Sequence, residues 1–176
     1  RHKLSLTSPD AAVRDKAVAF VRSIMDLAAR FEAPAIIGSV QGRWGDGASR
    51  PEALRYLGGA LYRLNQHAAD LGTTLLYEPL NRYETNLVNT LGDAVTFLGG
   101  LGVGSVKVLA DLYHMNIEEA NLADALRGAL FVEVASAGHG RPLATGNMAD
   151  WRVANRHYSR SIWADGGCEQ PVSIFE

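Results

Sequence analysis

The sequence predicts an α/β fold with a parallel sheet, read as part of a TIM-type (β/α)8 barrel whose front strands are missing. Three observations carry this reading. Five short apolar runs alternate with amphipathic helical stretches. Each run is almost continuously apolar, as expected of strands buried on both faces by helices. The chain has 176 residues, whereas a closed barrel of this type usually needs about 250. It also opens at Arg1-His2-Lys3 without a methionine, directly before a helix. A single domain over residues 1–176 is expected, with an open doubly wound sheet as the architectural alternative.

The elements follow in order. Val13, Ala17, Phe20, Ile24, Leu27 and Phe31 recur at steps of three and four behind Ser8-Pro9, which suits an N-cap and first helical residue. Pro34 to Val40 reads as the first strand and gives way to the glycine-rich loop Gly42-Arg43-Trp44-Gly45-Asp46-Gly47. Ser49 and Glu52 have capping-box spacing. Leu54, Leu57, Leu61, Leu64, Ala68 and Leu71 then line a helix that Gly72 stops. The second strand is Thr73 to Tyr77. A helix from about Thr90 to Leu101 precedes a strand at Ser105 to Ala110, and a helix from about Ile117 to Gly128 precedes a strand at Leu130 to Ala135. A loop from Ser136 to Asp150, a helix around Val153 to Ala164 and a strand from Pro171 to Phe175 complete the pattern.

Composition narrows the class of function. The chain is 47% hydrophobic with a formal net charge of -2, and its charges are scattered without a basic run. That removes the electrostatic footprint of a nucleic-acid binder and favours a small-molecule ligand. The lone cysteine, Cys168, excludes an internal disulfide framework and a cysteine-rich metal site. No apolar stretch is long enough to span a bilayer, and no signal peptide precedes Leu4, so a cytoplasmic protein without a membrane partner is expected. A homo-oligomer is left open.

The chemistry gathers at strand ends. The second strand runs directly into Glu78, Asn81, Arg82 and Glu84; the third ends at Asp111 with His114 just beyond; the fourth carries Glu133 and the fifth ends at Glu176. In a (β/α)8 barrel these ends converge on the face where active sites are built. Crowded carboxylates repel unless a cation sits among them. Oxygen ligands with one imidazole nearby suit Mg2+, Mn2+ or Co2+. The plain alternative is that such acids meet water or cap the next helix.

The motif Glu78-Pro-Leu-Asn-Arg-Tyr-Glu84-Thr-Asn86, followed by Asp111-Leu-Tyr-His114-Met-Asn116, resembles the paired motifs of ketose 3-epimerases of the tagatose and psicose type. These belong to the xylose isomerase-like sugar isomerase/epimerase superfamily. The similarity runs from about Leu6 to the end of the chain. The first motif is the specific one; the second is shared with hydroxypyruvate isomerases and metal-dependent apurinic endonucleases.

The resemblance implies a divalent metal ligated by Glu78 and Asp111, with Glu84 and His114 holding substrate hydroxyls. Where the family carries a histidine ligand this chain has Glu133, and the expected arginine is displaced, with Arg141 the nearest candidate. The family's closing glutamate appears as Glu176, after one extra residue in Val172-Ser-Ile-Phe. The implied reaction is proton transfer beside a ketose carbonyl, with Glu78 and Glu176 as base and acid on opposite faces of the sugar. An aldose-ketose isomerase could use the same groups. Trp44 is a candidate wall for the sugar. His139 reads as a solvent-exposed loop residue and His67 as a surface one. A metal-poor, inactive sugar-binding relative and an apurinic endonuclease-like enzyme are the competing functional classes.

Overall fold

A computed structural model describes residues 4–45 and 47–129 and the backbone of 135–136. Helix α1 (Ala11–Ala29), strand β1 (Ala35–Ile37), helix α2 (Arg50–Asp70), strand β2 (Leu75–Tyr77), helix α3 (Leu91–Leu101), strand β3 (Val106–Ala110), helices α4 (Leu112–Glu118) and α5 (Leu122–Gly128), and strand β4 (Ala135–Ser136) follow one another. The sheet order is β1-β2-β3-β4 and every pairing is parallel. The predicted alternation is therefore borne out, and Glu78 and Asp111, each one residue past its strand, lie at the same edge of the sheet.

Leu75 and Tyr77 on β2 and Val108 on β3 are fully buried in one core with Leu57, Leu61 and Leu64 of α2 and Ala17, Val18 and Val21 of α1. The core thus lies between sheet and helices, as a parallel sheet requires. Local signals fix several boundaries. Glu52 Oε2 accepts from the Ser49 N–H at 2.9 Å and the Ser49 hydroxyl at 2.6 Å, completing the predicted capping box. Gly72 adopts φ +63° just after α2, and Thr90 caps α3 by accepting from the Asp93 N–H.

Three expectations are corrected. Helix α1 begins later than predicted because Asp10, not Ser8, is its N-cap: Asp10 Oδ1 accepts from the Ala12 N–H at 2.8 Å. Its buried face is Ala17, Val18, Val21 and Met25, while Phe20, Ile24, Leu27 and Phe31 of the predicted stripe are exposed. The first strand is shorter than Pro34 to Val40. After Ile37 the chain leaves the ladder at Gly38 and turns into a 3-10 segment, Ser39–Gln41. The single helix expected from Ile117 to Gly128 is two helices, since Glu119 is extended and Asn121 starts a new cap by accepting from the Asp124 N–H. The earlier of these, α4, follows directly from its Asp111 cap. The predicted fifth strand and the helix before it lie outside the described residues. Among the described residues no helix is long and apolar enough to cross a membrane.

Candidate functional site

The segment after β2 explains its unusual density of polar residues. Glu78 continues the strand by one rung, its N–H donating to the Ile37 carbonyl at 3.0 Å. Asn81, almost fully buried, folds the chain back: its Oδ1 accepts from the Tyr83 N–H at 3.0 Å, an Asx-type turn. With its oxygen so used, the Asn81 amide nitrogen faces His114 Nδ1 at 2.8 Å and Glu84 Oε1 at 3.3 Å. Arg82 reaches across to α4. Its main-chain N–H and Nε both meet Glu118 Oε1, and its Nη2 donates to Glu118 Oε2 and to the Ile117 carbonyl. A forked guanidinium-carboxylate contact of this kind fixes direction as well as distance. The loop after β2 is thereby locked to the helix that carries His114.

At the centre, one ligand atom from each of Glu78, Asp111 and His114 lies within 4.8 Å of the others. Asp111 has two duties. Its Oδ1 accepts from the Tyr113 N–H at 2.8 Å as the cap of α4, while the carboxyl also lies beside Glu78. The helix-cap reading of a strand-terminal acid holds for this residue, which also lies beside Glu78 and His114. Glu78 is pushed up to about 7, first by burial, then by the charge and hydrogen bond of Asp111, and last by Glu84. Two partly buried carboxylates this close repel one another, and a cation between them would relieve that repulsion.

His114 is buried and its ring orientation is determined by its neighbours. The Asn81 main-chain N–H donates to Nδ1 at 3.2 Å. A ring nitrogen that accepts an amide proton carries none, so the imidazole proton sits on Nε2. Nε2 lies 3.8 Å from Glu78 Oε1, and Nδ1 lies 3.9 Å from Glu84 Oε1, both beyond hydrogen-bond length. His114 therefore sits beside the carboxylates with Nε2 turned toward Glu78. Glu78 and Asp111 are hard oxygen donors of the kind a divalent ion takes and would be the residues to hold one.

A second loop is bonded to the segment after β2. Trp44 is 41% exposed, yet both its main chain and its indole are held by Asn86. The Trp44 N–H donates to Asn86 Oδ1 at 2.9 Å, the indole Nε1 to the Asn86 carbonyl at 2.9 Å, and Asn86 Nδ2 to the Trp44 carbonyl at 3.1 Å. Thr85 Oγ1 donates to the Gly42 carbonyl at 2.8 Å, joining the same two loops. Gly42 is required there: it has φ +87°, and a Cβ would lie 2.1 Å from Ser5 Oγ.

Of the sequence-predicted site residues, the structure brings together Glu78, Asp111, Glu84 and His114 and places Trp44 on the loop bonded to the same segment. Glu133, Arg141 and Glu176 lie outside the described residues, as does His139. His67, read as a surface residue, is more covered than expected and pairs with Asp26 across α1 and α2 at 2.7 Å. Sequence reasoning assigned no part to Asn81, Arg82, Glu118 or Gly38. Only the polar density of the motif pointed to the first two. A Cβ on Gly38 would stand 3.0 Å from Glu78 Oε2, a closeness that no local pattern announces.

Parallel strands alternate with helices, and a carboxylate-histidine group lies at the strand ends, the arrangement of a (β/α)8-type fold. The chain belongs to the xylose isomerase-like TIM barrel family, whose model matches residues 1–157. It is similar to the D-psicose 3-epimerase of Agrobacterium fabrum, with 36% identity over 129 residues, covering 71% of this chain and 45% of that protein. It is also similar to the 3-dehydro-D-guloside 4-epimerase of Escherichia coli, with 49% identity over 63 residues, 36% of this chain and 24% of that one. Among solved structures, a D-psicose 3-epimerase determined in the presence of D-fructose superposes with a TM-score of 0.69 at 28% identity, over 90% of this chain and 58% of that one. The chain thus spans about half the length of these full-length epimerases.

Proposed function

We propose that this chain forms the greater part of a single sugar epimerase domain. Its protein inverts a ketose at the carbon beside the carbonyl, with Mn2+, Mg2+ or Co2+ as cofactor. The observation that carries this reading is the Glu78 carboxyl, held at the end of β2 against Asp111 and raised to about 7. Similarity to D-psicose 3-epimerases over most of the chain supports the substrate class.

A divalent ion bound by Glu78 and Asp111 would act as a Lewis acid on the substrate's oxygens, stabilising the charge that develops as the proton leaves. Glu78 takes the proton beside the carbonyl as the general base. His114, donating from Nε2, and Glu84, accepting, hold substrate hydroxyls so that the reacting carbon faces Glu78. Trp44 covers an apolar side of the sugar. In the same proposal Glu133 and Glu176 complete the ligand set, Glu176 returns the proton on the opposite face, and Arg141 contacts substrate.

The test uses the intact protein in deuterated water with a panel of ketohexoses and ketopentoses. Turnover should carry solvent deuterium to the carbon beside the carbonyl. Glu78→Gln should abolish it, and Glu84→Gln should chiefly raise KM. Metal-loaded protein that converts none of these sugars would contradict the proposal and favour a sugar-binding relative.

A further inference from the structure

We propose that Gln41 is a positioning residue for Glu78: its carboxamide grips the main chain around the carboxylate, and the Tyr77 hydroxyl sets which way that carboxamide points. Gln41 and Tyr77 are both fully buried. A buried side-chain amide in a core that an apolar residue could fill costs free energy unless every polar atom is satisfied. Here each one is. Gln41 Nε2 donates to the Glu78 carbonyl at 3.0 Å and to the Gly38 carbonyl at 3.2 Å, while Oε1 accepts from the Tyr77 hydroxyl at 2.6 Å.

The need for this arrangement follows from the ladder. Glu78 N–H still pairs with β1 through Ile37, but β1 leaves the sheet at Gly38 and turns into Ser39–Gln41. The Glu78 carbonyl, which a continued strand would have satisfied, is taken instead by a side chain from that turn. The same amide holds Gly38, the residue whose missing Cβ leaves room for Glu78 Oε2. Inverting the carboxamide would set Oε1 against two carbonyl oxygens and leave the Tyr77 hydroxyl facing Nε2, so only one orientation is compatible with its partners. Main-chain placement at Glu78 and at its neighbour across the sheet is thus set by one buried residue. This matters for proton transfer because misplacing a reacting group by about 1 Å can cost about a hundredfold in rate.

The inference rests on the epimerase reading for its activity assay, and a second readout separates the two. In the intact protein, Gln41→Met keeps length and apolar bulk but removes both donors; Tyr77→Phe removes only the group that orients them. With the ketose converted by wild type, Gln41→Met should lower kcat about tenfold or more with KM within about twofold, and Tyr77→Phe should lower kcat less. The double variant should lose little beyond Gln41→Met, since both changes break one network. Mn2+ affinity of metal-stripped protein, measured by calorimetry, should weaken in Gln41→Met severalfold. A loss explained by stability alone would lower the melting temperature and leave kcat and Mn2+ affinity unchanged at temperatures where the variants are folded. That result, in Gln41→Met or, if it does not fold, in Tyr77→Phe, overturns the proposal. An inactive wild type would sink the epimerase reading while the Mn2+ comparison still decides this one.

Discussion

Glu78 sits where burial and a neighbouring carboxylate both oppose its ionisation, and this has consequences for stability. Its folded pKa, about 7, lies above the ordinary carboxylate value. The metal-free folded chain therefore keeps a proton that the unfolded chain has released. The stability this contributes is fully present below the ordinary carboxylate pKa and is lost as pH rises through about 7. Urea unfolding of the metal-free protein across that window should show stability falling with pH, and Glu78→Gln should flatten the slope. At Gly38 the same carboxylate meets a steric limit. Gly38→Ala would bring a Cβ to 3.0 Å from Glu78 Oε2, and the flexible carboxylate is the partner that moves. Turnover should fall about tenfold or more while unfolding free energy changes by only about 1 kcal/mol, as parallel kinetic and denaturation measurements would read. The sequence made Glu78, Asp111, Glu84 and His114 legible because their chemistry stands out against apolar runs. It hid Gly38 and Gln41, since a glycine before a loop and a glutamine in a turn look ordinary until the third dimension places them against Glu78.

Between elements, the contact that matters most is the one from the loop after β2 to α4. Arg82 and Glu118 hold that loop against the helix bearing His114, and Asn81 reads the ring from the loop side. Arg82→Lys keeps the charge but loses the planar fork. It should raise KM severalfold through looser placement of Glu84 and His114, with a smaller effect on kcat. Steady-state kinetics would separate the two, and an unchanged KM would show that the loop holds its place without the fork. This coupling was invisible in sequence because α4 itself was. Leu112–Glu118 is only seven residues long, too short to establish a helical period, and its start depends on the Asp111 cap. The longer helix α2 was legible because its capping box and apolar period agree.

At the scale of the whole molecule, the parallel order and the family both emerge from the same feature: apolar strands that end in acids. The parallel sheet was readable because its strands lack alternation, and the barrel because the motifs after the second and third predicted strands resemble one superfamily. Glu133 and Glu176 lie outside the described residues, whereas Glu78 and Asp111 stand together at the strand ends. The proposed function requires that these two carboxylates share a divalent cation. Calorimetric titration of Mn2+ into the chelator-stripped intact protein, at about pH 6 and about pH 8, tests it most directly. Affinity should be higher at the upper pH, where the Glu78 proton no longer competes, and should collapse in Glu78→Gln and Asp111→Asn. Equal Mn2+ affinity at both pH values, in wild type and in both variants, would contradict it.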